Sequence, residues 1–228
     1  MNRASSPARL YLVTPPLGDT MAFARELPAA LQAGDIAAVL LRLADADERT
    51  LINRVKAIAP LIQRRDIALI LDGRPEIVAR SGADGAHLTG IAALTAALPA
   101  LKPDRIAGAG GLRSRHDAML AGEAGADYVM FGEPPPHPPP LAGEERQGAG
   151  RPPAPAVLER ISWWAELFEV PCVGYAAAAD EVLPLAQAGA DFVALGDWIW
   201  THATGPAAAI KAAAAHLSSP VRSAEEDG

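Results

Sequence analysis

The sequence predicts a single-domain α/β protein of the (β/α)8 barrel class, and three observations carry that expectation. First, a Gly-Ala-Asp tripeptide recurs at 82–84, 125–127 and 189–191, each time after an Ala-rich segment and before a short apolar run. A glycine at that place can end a helix in the left-handed conformation. The run after it is too short for a helix and suits a buried strand. Second, the whole chain alternates such runs with helical segments, eight of each. Third, 228 residues lie close to the about 250 typical of a closed barrel. An open doubly wound sheet is the rival, but no G-x-G-x-x-G follows an early strand.

The elements follow in order. Residues 1–8 read as a frayed tail, and the barrel spans 9–217. The first strand covers 10–13 and meets Pro15-Pro16. A helix over 21–33 has Asp19 or Thr20 as N-cap. The second strand covers 37–43 and carries Arg42 near its end. Residues 47–64 form an amphipathic helix, with Leu51, Ile52, Val55, Ile58 and Leu61 at helical spacing. The third strand, 67–71, leads to Asp72-Gly73-Arg74, and Pro75 opens a short helix to 81. The fourth strand, 85–88, contains His87. A helix over 92–98 is expected to stop at Pro99. The fifth strand covers 105–109, its helix 114–124, and the sixth strand 128–132. Residues 133–155 are a Pro-rich loop that suits neither helix nor strand interior. A helix to 168, a strand over 170–175, a helix over 180–188, a strand over 192–195 and a helix over 206–216 complete the barrel. The acidic tail at 218–228 reads as disordered.

Composition narrows the function classes. A net charge of −7 argues against a broad nucleic-acid surface. Cys172 is the only cysteine, so no intramolecular disulfide forms. No apolar run reaches the about 18 residues of a membrane span. The N-terminus lacks the apolar core of a secretory signal. A cytoplasmic protein, either monomer or homo-oligomer, is the expectation.

Barrels of this class carry their sites on the loops that follow the strands. Arg42, Arg74 and Arg113 fall there and can converge as a bidentate clamp for phosphate or carboxylate. They can equally be consumed by ion pairs with Asp72, Glu133 or Asp197. Gly132, Gly174 and Gly196 end strands six, seven and eight, where backbone can approach a ligand. His87 and Glu133 are the acid–base candidates, with a satisfied core histidine as the competing reading of His87. Asp72 and Asp197 are the carboxylates best placed for a metal but show no ligand spacing, which makes Asp72 a metal candidate by position alone. Asp197 and Trp198 are candidates to fill the mouth.

The order of segments resembles the thiamine phosphate synthase and thiazole tautomerase family. The resemblance runs from about residue 10 to 215. It rests on L-Y-L-V-T at 10–14, G-A-D-G-A-H-L at 82–88, G-A-D-Y-V-M-F-G at 125–132, V-P-C-V at 170–173 and A-G-A-D-F-V-A-L at 188–195. It implies a (β/α)8 barrel. It also implies condensation of hydroxymethylpyrimidine diphosphate with thiazole phosphate, with Mg2+, releasing diphosphate. The tautomerases instead isomerise a thiazole carboxylate phosphate without that metal chemistry.

The loops depart from the pattern. Of Q-x-R-x-K only the arginine remains, as Leu40, Arg42 and Ala44. The Asn-Asp before Arg74 reads Asp72-Gly73, placing glycine where a metal carboxylate is implied. The second metal carboxylate falls on Ala92, a Ser-Thr-His on Gly111-Leu112-Arg113, and a Gly-Gly phosphate loop on Ala176-Ala177. A lysine-bearing loop is replaced by the Pro-rich segment. The expectation is a divergent thiamine-biosynthesis barrel with weak, altered or lost transferase activity and a phosphorylated pyrimidine or thiazole as ligand. The alternatives are a non-catalytic barrel that binds an anion or a protein through the Pro-rich loop, and a metal-independent isomerase using His87 or Glu133.

Overall fold

The computed structural model describes residues 7–134 and 154–218. Its strands are β1 (Arg9–Val13), β2 (Ile36–Leu41), β3 (Ala68–Asp72), β4 (Gly85–Thr89), β5 (Ile106–Gly110), β6 (Tyr128–Phe131), β7 (Cys172–Ala176) and β8 (Phe192–Leu195). The helices between and after them are α1 (Thr20–Leu31), α2 (Glu48–Gln63), α3 (Val78–Ser81), α4 (Ile91–Leu101), α5 (Arg115–Ala124), α6 (Ala154–Leu167), α7 (Val182–Gln187) and α8 (Pro206–Ser218). Every strand pairs in parallel with its neighbours, and β8 closes on β1. The expected (β/α)8 barrel is therefore the observed architecture.

Local chemistry explains the helix starts. Asp19 accepts the Met21 amide at 2.8 Å, and Asp47 accepts the Thr50 amide at 3.0 Å. Ser114 and Asp117 exchange bonds as a capping box at the start of α5. One expected boundary is corrected. Helix α4 does not stop before Pro99 but runs on to Leu101. Its buried face, Leu94, Ala97 and Leu101, continues past the proline. The carbonyl that loses its partner belongs to Thr95, an exposed residue where water can replace the bond. The Pro-rich segment falls mostly outside the described residues. Of its two ends, Glu133 and Pro134 follow β6, while Ala154 and Pro155 already belong to α6. The expected tails likewise lie outside the described residues, except Pro7, Ala8 and the last helical residue, Ser218.

The Gly-Ala-Asp joints act as the repeat suggested. Gly82, Gly125 and Gly189 have φ of 82°, 100° and 100°. Each aspartate then ties its strand to the preceding one. Asp84 Oδ2 accepts the Leu69 amide at 2.7 Å, Asp127 Oδ2 that of Ala107 at 2.7 Å, and Asp191 Oδ2 that of Cys172 at 2.8 Å. Ala33-Gly34-Asp35 before β2 is only similar in sequence, since Gly34 is not left-handed and the Asp35 carboxylate pairs with the Arg9 side chain at 2.8 Å.

Two apolar layers result. The larger lies between sheet and helices. The smaller fills the barrel interior, with Tyr11, Val13, Leu40, Tyr128, Met130 and Tyr175 among its members. Large and small residues interlock there. A Cβ on Gly108 would lie 2.0 Å from Tyr128 Cζ, and one on Gly196 would lie 2.4 Å from Tyr175 Oη. The rings of Tyr128 and Tyr175 thus fit inside the barrel because Gly108 of β5 and Gly196, just after β8, supply no side chain at those points.

Candidate functional site at the barrel mouth

The alternation that puts Ala38 and Leu40 inside the barrel carries on to Arg42 at the C-terminal mouth. Its backbone is held firmly. The Arg42 amide donates to Thr14 Oγ1 at 2.9 Å, and the Leu17 amide donates to the Arg42 carbonyl at 2.9 Å. Arg42 as a whole is 3% exposed. Asp72 lies 3.4 Å from its Nε, and Asp197 lies 3.8 Å from its other end. Asp197 Oδ1 is buried without a hydrogen bond. The inner mouth therefore sets one guanidinium against two carboxylates.

The three arginines do not converge. Arg74 sits at φ 55° and pairs with Asp45 at 2.5 Å. Arg113 is exposed, and its carbonyl accepts from Arg160 at 2.9 Å. Of the two readings the sequence left open, ion pairing with Asp72 and Asp197 describes Arg42, whereas Arg74 pairs with Asp45, a partner outside the expected set. Asp72, Arg74 and Thr89 also line a groove of about 500 Å³ floored by Ala93, Ala96 and Ala97 of α4, to one side of the barrel axis.

Carboxylates also occupy backbone donors at the mouth. Glu133 Oε1 accepts the Gly111 amide at 2.6 Å. Burial raises the Glu133 carboxyl above the usual carboxylate range, while the Gly111 amide and Arg160 oppose that shift. Glu181 Oε2 accepts the Ala177 amide at 2.7 Å, just after β7. That loop is where many barrels of this class hold a phosphate.

His87 faces the interior from β4. Burial lowers its imidazole below the ordinary histidine value, with Asp72 acting in the opposite sense. Its Nδ1 lies 3.0 Å from Tyr128 Oη, which lies 2.9 Å from Tyr11 Oη. A Cβ on Gly110 would lie 2.5 Å from His87 Nε2 and 3.3 Å from Glu133 Cγ. The missing side chain at Gly110 therefore lets the two acid–base candidates pack close against this strand. Sequence reasoning singled out neither tyrosine. The available signal was their inward register, two residues before Val13 and Met130.

The remaining candidates are placed as follows. Gly132 has φ 78°, which favours glycine, and packs near Val157. Gly174 faces Ile161 and Leu185 of the surrounding helices, and Gly196 makes room for Tyr175. The Trp198 indole donates to the Ala176 carbonyl at 3.1 Å, and its ring packs on the outer core.

The residues present do not fit the Mg2+ that the resemblance implies. Its two carboxylate positions hold Gly73 and Ala92. Asp72 and Asp197 already face Arg42. Among the described residues no three His, Cys, Asp or Glu side chains cluster as a metal site. Two carboxylates already facing a guanidinium are a poor anchor for a strongly hydrated dication.

Comparison with known proteins now bears on this geometry. A family model described as thiamine monophosphate synthase matches residues 10–199. The chain is 45% identical over 209 residues to a thiamine-phosphate synthase of Rhodospirillum centenum, covering 89% of this chain and 94% of that protein. It is 37% identical over 211 residues to a thiamine-phosphate synthase of Hyphomonas neptunium, covering 90% and 91%. Among solved structures, thiamine phosphate pyrophosphorylase from Pyrococcus furiosus superposes with a TM-score of 0.70 at 21% identity, covering 92% of this chain and 95% of that one. A 3-hexulose-6-phosphate synthase from Salmonella typhimurium gives 0.67 at 16% identity, covering 91% and 98%. At such identities the structural likeness shows the fold alone. No helix among the described residues is long and apolar enough to cross a membrane.

Proposed function

Because the chain belongs to the thiamine monophosphate synthase family, which serves thiamine biosynthesis, we propose that it is a synthase-type transferase slowed by the carboxylates at its own mouth. The reaction is the condensation of hydroxymethylpyrimidine diphosphate with thiazole phosphate. The bond from the pyrimidine's methylene carbon to the diphosphate oxygen breaks, and the diphosphate leaves with the electron pair. A new bond joins that carbon to the thiazole.

Arg42 is the observation that carries this reading. A guanidinium offers a fork of donors that matches phosphate oxygens. At about 4 Å and an effective dielectric of about 20, one such charge pair is worth about 4 kcal/mol. Asp72 and Asp197 offset that attraction, because an incoming phosphate must displace at least one of them. Asp197, with a side chain 44% exposed, is the more open of the two. The Gly111 and Ala177 amides are likewise engaged by Glu133 and Glu181. Each competing carboxylate lowers affinity for an anionic substrate, which is the physical reason to expect slow turnover.

The test measures diphosphate release from both substrates together and from each alone, with and without Mg2+. Slow release that needs both substrates supports the proposal. If nothing turns over and neither substrate raises the melting temperature, thiamine chemistry is to be abandoned for this chain.

A further inference from the structure

Tyr11, Tyr128 and His87 form a buried polar chain across the barrel interior, and hydrogen-bond accounting sets its direction. The three residues are 2%, 7% and 3% exposed. The Tyr128 ring stacks on His87 with planes 15° apart, and Tyr11 meets Tyr128 edge-on. Gly108 leaves the Tyr128 ring its seat. A neutral imidazole has one donor and one acceptor, and each phenol has one proton to give. Two orders are conceivable. If His87 Nδ1–H donates to Tyr128, then Tyr128 donates to Tyr11. The Tyr11 proton is then left without an acceptor inside the barrel, because Tyr128 is the one hydrogen-bond partner of its hydroxyl among the described residues. In the opposite order Tyr11 donates to Tyr128, Tyr128 donates to His87 Nδ1, and the one proton left over is Nε2–H, at the end of the chain beside Gly110. The two orders differ in where the unpaired proton sits, sealed inside the barrel on Tyr11 in the first and at the mouth on His87 Nε2 in the second, and that disfavours the first.

We propose that Tyr128, backed by Tyr11, is a positioning residue that holds His87 as the Nε2–H tautomer, so that the ring presents a hydrogen-bond donor at the barrel mouth. That Nε2 packs so closely on Gly110 that a Cβ there would lie 2.5 Å from it, and Glu133 Cγ lies 3.3 Å from the same point. A donor at the mouth calls for an acceptor from the ligand, and in the synthase reading that acceptor is an anionic oxygen of a phosphate group. His87 then acts by donating to the oxygen that gains charge, not as a base. The identity of that oxygen rests on the synthase reading above, whereas the tautomer rests only on the chain's own hydrogen bonds.

Proton–nitrogen correlation NMR on the ¹⁵N-labelled full chain reads the ring nitrogens directly, with His87→Gln assigning the signals. The expected result is a protonated Nε2 and a bare Nδ1 at neutral pH. Tyr128→Phe is expected to mix the two tautomers and to lower kcat about tenfold while KM stays within about twofold. Tyr11→Phe leaves Tyr128 its own proton and is expected to change the ring signals less. A proton on Nδ1 in the unaltered protein overturns the proposal, as do identical ring signals in Tyr128→Phe. If no variant turns over, including the unaltered chain, the synthase reading fails while the ring-nitrogen result still decides the tautomer.

Discussion

Adding one methyl group at Gly110 tests how tightly the mouth is built. The Gly110→Ala Cβ would lie 2.5 Å from His87 Nε2, 2.9 Å from His87 Cε1 and 3.3 Å from Glu133 Cγ. The first two approaches are well inside contact distance, so the imidazole must move. Its other face is stacked on Tyr128, and its Nδ1 is hydrogen-bonded there at 3.0 Å. The ring therefore cannot yield without breaking that bond or straining β5. Overpacking of this kind costs about 1–3 kcal/mol. For a chain of this size each kcal/mol moves the melting temperature by about 2–4 °C, so a fall of about 2–12 °C is expected. Urea unfolding should show a lower midpoint with an unchanged m-value. Gly18→Ala is the control, because its Cβ would find nothing nearer than Ala44 at 4.0 Å. That control should be neutral or stabilising by up to about 1 kcal/mol. A Gly110→Ala protein that melts within about 1 °C of the unaltered chain, with its His87 ring signals unmoved, would refute the claim that this space is tight and organised by His87.

Three other outcomes follow from the same geometry. Arg42→Ala should weaken thiazole phosphate binding by about tenfold or more, since it removes a charged donor worth about 1.5–3 kcal/mol; isothermal calorimetry checks this, and unchanged affinity would sink the role given to Arg42. Asp191→Ala should lower stability by about 1–3 kcal/mol because it strips the Cys172 amide of its side-chain acceptor, and chemical denaturation is the measurement. His87 supplies the pH dependence. Its folded value is depressed by burial, so the unfolded chain takes up a proton first as pH falls below about 6.5. Its contribution to stability is full above that pH and declines as pH falls toward the folded value. Melting curves of His87→Gln should lose that slope, and an identical slope would show that His87 does not titrate as described.

Much of the scaffold was legible in the sequence because its signals are local. A left-handed glycine at the end of a helix, an aspartate after it and a short apolar run need no distant partner to be recognised. The same holds for Asp19 as a cap, which acts within three residues; Asp47 and Ser114, expected only as the first residues of their helices, are their caps. Pro99 misled the reading for the converse reason. Local chemistry said stop, but Leu94, Ala97 and Leu101 bury a face that runs past it. The site was legible only as a set of positions. Strand order placed Arg42, Asp72, Glu133 and Asp197 at one end of the barrel, without saying which carboxylate meets which cation.

By itself the sequence determined the barrel, its eight-fold alternation and the family to which it belongs, since periodicity and joints are properties of neighbouring residues. Only the tertiary structure decided that Arg42 lies between Asp72 and Asp197 while Arg74 turns to Asp45 and Arg113 to solvent. It alone showed His87 joined to Tyr128 and Tyr11, residues 41 and 117 positions apart along the two links. Such pairings depend on barrel closure and on which glycines leave room inside it. Those are distances between strands far apart in the chain, and no run of adjacent residues encodes them.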